Sequence, residues 1–249
     1  EEFIRAIFRD KSGHTFIADK NGYVRISDRT NVFYRYLASD GSLSKTRTQF
    51  GANVYSIFED SKGDIWMGTK PKGLFRLRRA KKGGFIVKSF TNDLKNKYSL
   101  NCNSIYCITE DKSGRILLGT YGGGLNIVES PHSDAPRFVT PDNELSKYPA
   151  EARKIHDFLY LSNGNLLLGT NGGLFSCNIS GKPRNTSFFP NKRIPTDKKS
   201  LSNDMVTNIL RAHDGTIYVA TYGGGLNIVE SADILSGSNA FNALTTDNG

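Results

Sequence analysis

The stretch TYGGGLNIVES occupies residues 120–130 and returns, letter for letter, at residues 221–231. An identity of eleven residues inside one chain indicates an internal repeat. The length of a repeat indicates the architecture of a fold more strongly than any single predicted strand. The two copies are separated by one further copy of the unit, which has diverged more. The same pattern extends on both sides of these two copies over the whole chain.

Five segments share this pattern, and each is anchored on a glycine. The anchors follow one another at spacings of 50, 51, 50 and 51 residues. They are Gly13, Gly63, Gly114, Gly164 and Gly215. The segments read DKSGHTFIAD (10–19), DSKGDIWMGT (60–69), DKSGRILLGT (111–120), LSNGNLLLGT (161–170) and AHDGTIYVAT (212–221). Each D-x-x-G element predicts a tight turn in which glycine takes a positive φ.

Each repeat predicts four short strands. The first carries apolar residues nine and six positions before the glycine, as in Val54 and Ile57. The second is apolar at consecutive positions, as in Ile65–Met67, so both of its faces are expected to be buried. A glycine-rich turn leads to the third strand, such as Leu125–Val128. The fourth is aromatic and less regular, at Phe33–Tyr36, Phe85–Val87, Phe188–Phe189 and Phe241.

Repeated four-stranded antiparallel units predict an all-β fold, a β-propeller. We expect a single propeller domain with blades at about residues 1–40, 50–92, 101–140, 151–190 and 202–245. A parallel β-helix needs shorter repeats, and a helical solenoid needs a 3.6-residue period that the sequence lacks. Five blades are compatible with a complete small ring or with part of a seven-bladed ring.

Composition excludes several classes of protein. The chain has 249 residues, of which 37% are hydrophobic, and its mean hydropathy is −0.42, values that exclude a membrane-embedded or disordered chain. The three cysteines form neither a disulfide framework nor a zinc motif. A net charge of +9 permits acidic partners. The basic residues form no single stripe with interleaved aromatics, so we expect no nucleic acid to be bound.

The segments NVYSIFEDSKGDIWMGTKPKGL (53–74) and SLNCNSIYCITEDKSGRILLGTYGGGL (99–125) resemble the two-component regulator propeller repeat. Residues 200–226 fit the same pattern with Ala220 in place of glycine, and the first repeat is degenerate at Ala18-Asp19. The resemblance covers nearly the whole chain. It implies the periplasmic sensor region of a hybrid two-component system of the Bacteroidetes, which detects oligosaccharides released from glycans.

The resemblance also implies what surrounds such a region. Parent proteins of this kind are membrane-anchored histidine kinases in which propellers precede signalling domains. We therefore expect this chain to be a non-catalytic part of a longer protein, without a cofactor or metal. Its expected partners are an oligosaccharide, the neighbouring propeller and signalling domains of the same parent chain, and a second copy in a homodimer.

Turns between second and third strands share one face of a propeller with the linkers between blades. Tyrosine on this face suits stacking on sugar rings, and lysine or arginine suits acidic sugars. The candidate ligand-binding residues are Lys70, Lys97, Tyr98, Tyr121, Arg153, Asn171 and Tyr222. The alternative for each is structural: a tyrosine that packs on its neighbour blade, or a lysine on a solvated rim. The repeated threonines at 69, 120, 170 and 221 are interpreted as scaffold.

No catalytic residues are predicted. The histidines at 14, 132 and 213 fall on the opposite face from the candidate residues, and His156 lies on an inner strand without a predicted carboxylate or metal partner. No metalloprotease, nucleophile-elbow or phosphate-loop motif is present. Three functions stay open: a glycan-binding sensor, a protein-interaction or dimerisation propeller, and a propeller-fold carbohydrate lyase or hydrolase.

Overall fold

The computed structural model describes residues 3–30, 34–161, 164–230 and 240–245. Phe33, Ser162, Asn163 and Ser231 of the repeat pattern, and the start of the first predicted blade, lie outside these ranges. The described residues form an all-β protein of five antiparallel sheets, with short 3-10 turns at Ala150–Arg153 and Pro183–Asn185. Within each sheet the strands follow one another in chain order, which is the meander of a propeller blade.

The first two sheets contain nine strands. Sheet 1 comprises β1 (Ile4–Arg9), β2 (Thr15–Asp19), β3 (Val24–Ser27), β4 (Tyr34–Leu37) and β5 (Leu43–Ser44). Sheet 2 comprises β6 (Asn53–Glu59), β7 (Ile65–Lys70), β8 (Leu74–Arg79) and β9 (Phe85–Phe90). The fifth strand of sheet 1 differs from the four-stranded prediction and lies beyond residue 40.

The other three sheets have four strands each. Sheet 3 comprises β10 (Ile105–Glu110), β11 (Ile116–Thr120), β12 (Gly124–Glu129) and β13 (Arg137–Val139). Sheet 4 comprises β14 (Ile155–Tyr160), β15 (Asn165–Thr170), β16 (Gly173–Asn178) and β17 (Phe188–Asn191). Sheet 5 comprises β18 (Val206–Arg211), β19 (Ile217–Thr221), β20 (Gly225–Val229) and β21 (Asn242–Leu244).

The described chain divides into two compact units. The first runs to Leu118 and includes Ile127–Phe138, and the second includes Gly119–Asn126 and continues from Val139. In the first unit, one core lies between sheets 1 and 2, and another joins Trp66 and Leu74 of sheet 2 to Ile105 of sheet 3. In the second unit, the core lies between sheets 4 and 5.

The second strands of sheets 2, 3 and 4 are buried on both faces, as their consecutive apolar residues predicted, whereas buried and half-buried residues alternate in β19 and over most of β2. Ile65, Trp66 and Met67 are fully buried. Met67 packs in the core with sheet 1 and Trp66 in the core with sheet 3, so one strand serves two cores. The anchor glycines take positive φ values from 78° to 95°, which confirms the predicted turns.

Candidate functional site

The turns between second and third strands are held by the repeated threonines. The hydroxyls of Thr69, Thr120 and Thr170 donate to the carbonyl oxygens of Gly73, Gly124 and Gly173 at 2.7–2.8 Å. Thr221 makes the same bond to Gly225 at 3.1 Å. The hydrogen bonds confirm that these threonines are scaffold. They also fix the turns that carry Lys70, Tyr121, Asn171 and Tyr222.

A β-bulge recurs near the start of the first strand of a sheet. The register between first and second strands shifts between Ile4 and Ala6, Val54 and Ser56, Ile155 and Asp157, and Val206 and Asn208. The Cα register therefore skips one residue of the first strand in each of these four sheets. These residues are Arg5, Tyr55, His156 and Thr207. Bulges re-aim side chains and are frequent beside functional sites.

In the first unit, the bulged residues Arg5 and Tyr55 belong to a series of ring and cation contacts. The Arg5 guanidinium lies 4.7 Å from the centroid of the Tyr55 ring. The Tyr55 and Tyr106 rings are 4.8 Å apart at an angle of 33°. The Lys70 Nζ lies 6.0 Å from the centroid of Tyr106. Both tyrosines are half-buried, and Arg5 and Lys70 are exposed. We call these four residues the tyrosine row.

A cavity of about 190 Å³ opens beside Lys70 in the same unit. It is bounded by the turn after β2, the linker before β6 and the turn after β7, as the predicted grouping of turns and linkers requires. Its lining includes the side chains of Asn21, Gln49, Asn53, Lys70 and Lys72. The lining therefore supplies amides and ammonium groups, which hydrogen-bond to hydroxyls and anions.

In the second unit, two predicted residues meet around a histidine. Tyr121 contacts His156 edge-on, with ring centroids 5.5 Å apart. The His156 Nε2 donates a hydrogen bond to the Asn171 side-chain oxygen. The Lys154 Nζ lies 5.6 Å from the Tyr121 ring centroid, and the backbones of these two residues form a bridge. The structure thus brings Tyr121 and Asn171 together, with Lys154 and His156 as additional members.

Lys97 and Tyr98 form a second cationic cluster in the first unit. The Lys97 Nζ and the Arg137 guanidinium lie 4.9 Å and 4.1 Å from the Tyr98 ring centroid. The hydrogen bond from Arg137, aided by Lys97, lowers the pKa of the Tyr98 hydroxyl. Arg137 also pairs with Glu129 at 2.6 Å. This cluster presents an aromatic ring flanked by two cations.

Arg153 and Tyr222 occupy different surroundings. Arg153 pairs with Asp142 at 2.6 Å, so its charge is partly offset by a carboxylate. Tyr222 is 71% exposed, and its backbone N–H donates to the carbonyl of Met205. These two residues stay predictions, as does the binding role of the other five.

The sequence interpretation missed a group of two carboxylates and a histidine at the D-x-x-G turns. Asp60, Asp64 and His132 place one ligand atom each within 4.8 Å of one another. The Asp60 carboxylate accepts the Lys62 and Asp64 backbone N–H groups and the Trp66 indole N–H. His132 follows Asp64 by 68 residues, so no local spacing signals the group.

This group is an ion-pair network. Arg78 binds Asp64 through two hydrogen bonds of 2.8 and 3.1 Å. Burial alone would raise the pKa of Asp64, but Arg78 and His132 outweigh it and hold that pKa below its ordinary value. A metal cation there would meet the positive charges of Arg78 and of the buried Arg76. The network therefore does not fit a metal site.

Among the described residues, no helix is both long and apolar enough to cross a lipid bilayer. The meander sheets, the double-sided second strands and the bulged inner strands define this protein as one of the β-propeller class. Residues 48–70 and 99–122 match the family model described as two component regulator propeller. These two segments are therefore similar to repeats of this family, which confirms there the resemblance found in the sequence.

Solved structures of other proteins have a similar fold. YCF48 from Cyanidioschyzon merolae is 14% identical over 97% of this chain and 71% of its own, with a TM-score of 0.61. A protein of unknown function from Bacteroides caccae is 12% identical over 97% of this chain and 81% of its own, with a TM-score of 0.56. At these identities the likeness concerns the fold alone.

A third structure is the extracellular domain of a protein assigned to the hybrid two component systems of B. thetaiotaomicron. It is 19% identical over 92% of this chain and 33% of its own, with a TM-score of 0.43. The chain thus spans about a third of the length of this relative. A search of curated proteins finds no match.

Proposed function

We propose that this chain is the sensor propeller of a hybrid two-component signalling protein, that it lies outside the cytoplasm, and that it binds glycan-derived oligosaccharides without cleaving them. The observation that carries the proposal is the pair of two-component regulator propeller repeats at residues 48–70 and 99–122. The cavity beside Lys70 and the Tyr121–His156–Asn171 cluster supply the chemistry, because tyrosine rings pack on sugar rings while amides and cations bind their polar groups.

Several carboxylates make structural contacts, which supports a function without cleavage of the glycan. A glycosidase needs two carboxyl groups that face one bond of the substrate. Asp60 and Asp64 are bound by backbone N–H groups, an indole and arginines, and Asp157 accepts the backbone N–H of Ile209 at 2.9 Å. Asp60 and Asp64 are buried and Asp157 is half-buried. They stabilise turns and the contact between sheets 4 and 5, so we assign them to the scaffold.

The signalling step follows from differential binding. A ligand that binds one arrangement of the parent sensor more tightly than another shifts the population towards the first arrangement. The attached membrane segments and kinase of the parent protein would report that shift. The chain itself needs only to bind, and the similarity of its repeats to those of two-component regulators supports a kinase in the parent protein.

The proposal is tested by isothermal titration of the purified chain against a panel of neutral and acidic oligosaccharides, with product analysis by chromatography. We expect heat of binding for at least one glycan, and no shortening of any glycan after prolonged incubation. A panel that yields cleavage products would assign the chain to the lyase or hydrolase class. A panel without any binding would contradict the sensor proposal.

A second candidate function rests on the exposed face of sheet 1. Ile7 is 68% exposed, whereas its repeat equivalent Ile209 is 7% exposed and packed in a core. Phe3 and Ile4 on the same stretch are also exposed. An apolar face of this kind favours association with a second copy of the chain. Sedimentation velocity tests this function: a dimer lost in Ile7→Glu supports it, and a monomer at all concentrations contradicts it.

A further inference from the structure

The two faces of a sheet pack against different neighbours. Ile57 of β6 packs in the core with sheet 1, whereas Phe58, the next residue along, packs in the core with sheet 3. This alternation is expected, because successive residues of a strand point to opposite faces. We call the face that carries Ile57 or its repeat equivalent the rear face of a sheet, and the opposite one the front face. Each of the three cores described above joins the front face of one sheet to the rear face of the next.

The front face of sheet 5 is apolar and open to solvent. Leu210 and Leu244 on this face are 65% and 45% exposed. Tyr218, Leu226 and Ile228 on the same face are half-buried. The strand register places Leu210 beside Tyr218, and Leu226 beside Leu244, so these side chains are neighbours. They form one continuous apolar surface on the last described sheet.

The repeat shows what covers such a face elsewhere in the chain. Trp66 of sheet 2 and Leu167 of sheet 4 hold the position of Tyr218, and both are fully buried against the following sheet. Leu74 holds the position of Leu226 in sheet 2 and is also fully buried. In each case the cover is the rear face of another sheet of the same repeat.

The rear face of sheet 1 is the open counterpart. Ile7 is 68% exposed and pairs with Ile17, which is half-buried. Their equivalents in sheet 5, Ile209 and Val219, are only 7% and 0% exposed, because sheet 4 covers them. Arg25 continues the row on β3 and is half-buried. Its aliphatic stem can be covered while the guanidinium stays in water, so this charge is compatible with a packed face.

We infer that the front face of sheet 5 packs on the rear face of sheet 1 in a second copy of the chain, with Leu210 and Tyr218 against Ile7 and Ile17. The inference rests on the second candidate function, association of two copies, and names the surface that the partner contributes. Each copy carries both halves of the contact that its own sheets use, so the association is head-to-tail. A contact of sheet 1 with sheet 1 would join two rear faces, unlike the three cores among the described residues.

The test is sedimentation velocity of the original chain, Ile7→Glu, Leu210→Glu and an equimolar mixture of the two variants, each over a range of concentrations. We expect each variant alone to associate about tenfold or more weakly than the original chain, because a carboxylate buried without a partner is costly. The mixture should form a one-to-one complex, because each variant keeps the face that the other has lost. Ile86→Glu is the matched control: Ile86 is 63% exposed on β9 of sheet 2, on neither end face, so this variant should associate like the original chain.

The outcomes separate this inference from the association on which it rests. A complex recovered in the mixture supports the inference and also shows that both variants are folded. If the mixture stays monomeric while the original chain associates, the inference is wrong and the association stands, and an unaffected Leu210→Glu would then assign the contact to sheet 1 alone. If neither variant is weakened, another surface mediates association, which also overturns the inference. An original chain that is monomeric at every concentration contradicts both, and none of these results bears on glycan binding.

Discussion

At the scale of single residues, Asp157 shows how a half-buried carboxylate serves the contact between sheets 4 and 5. Its oxygens accept the backbone N–H groups of Phe158 and of Ile209, which lies on the first strand of sheet 5. Burial raises the pKa of Asp157, and these two hydrogen bonds oppose the rise without cancelling it. The folded protein therefore holds a proton on Asp157 more tightly than the unfolded chain does.

The sign of this pKa shift determines how the free energy of unfolding depends on pH. A raised pKa in the folded state means that the free energy of unfolding falls as pH rises from about 4, the ordinary value, through the folded pKa. Asp157→Asn removes this titration, so the stability of the original chain relative to the variant should decline as pH rises over that range. Thermal unfolding of both proteins at several pH values measures it. A difference that does not depend on pH would contradict the assignment.

The cysteines give a second prediction at this scale. Burial raises the pKa of the Cys177 thiol to about 12, so the reactive thiolate is scarce at neutral pH. Cys107 is also buried, while Cys102 is half-buried. We expect a thiol reagent at pH 8 to label Cys102 first and to reach Cys177 only on unfolding, as peptide mass mapping would show. Early labelling of Cys177 would show that the second unit opens locally.

Some of these residue positions were predictable from the sequence and others were not. The anchor glycines and repeated threonines recur at fixed spacing, so their turns and scaffold role were predicted and are confirmed. Tyr55 and Tyr106 vary between repeats, and a bulge leaves no signal in a pattern of apolar residues. The tyrosine row was therefore missed, although Lys70, one of its members, was among the predicted residues.

At the scale of elements, Gly169 lets the first strand of sheet 5 approach the second strand of sheet 4. A Cβ atom at Gly169 would lie 2.7 Å from the Val206 Cγ1 and 3.3 Å from the Ile209 Cδ1, both in the core of the second unit. Gly169→Ala is therefore expected to destabilise the protein by about 1–3 kcal/mol through overpacking. Chemical denaturation measures the change in the free energy of unfolding.

Ala220 provides the matched control, because it occupies the equivalent position of sheet 5. Ala220→Gly removes a methyl group and adds backbone freedom, which should cost about 1 kcal/mol or less. Equal stability of Gly169→Ala and the original chain would mean that sheets 4 and 5 are less closely packed than the structure shows.

The strands themselves were largely predictable, with one difference in sheet 1. Consecutive apolar residues correctly predicted the second strands. The aromatic stretches lie in or next to the described fourth strands. Leu43–Ser44 forms a fifth strand that pairs with β4. Leu43 is exposed and Ser44 is half-buried, and two residues are too few to show the alternation that predicts a strand. They form a strand because they pair with the edge of β4.

At the scale of the whole molecule, the division into two units could not be predicted from the repeat. The boundary segment Gly119–Asn126 contains the repeated stretch TYGGGLN, which is continuous in sequence. The net charge of +9 by itself also could not predict how the charged residues are distributed over the molecule. Within the first unit the turn after β7 carries Lys70 and Lys72, while each D-x-x-G turn carries an aspartate together with a lysine.

We propose that a glycan binds the first unit at its turn and linker end, at the cavity beside Lys70. Hydrogen–deuterium exchange of the chain with and without a saturating oligosaccharide ligand tests this proposal most directly. We predict slower exchange of backbone amides at residues 20–22, 49–53 and 70–73, with no change at the D-x-x-G turns 60–63 and 111–114. Slower exchange confined to those D-x-x-G turns, or found nowhere in the chain, would contradict the claim.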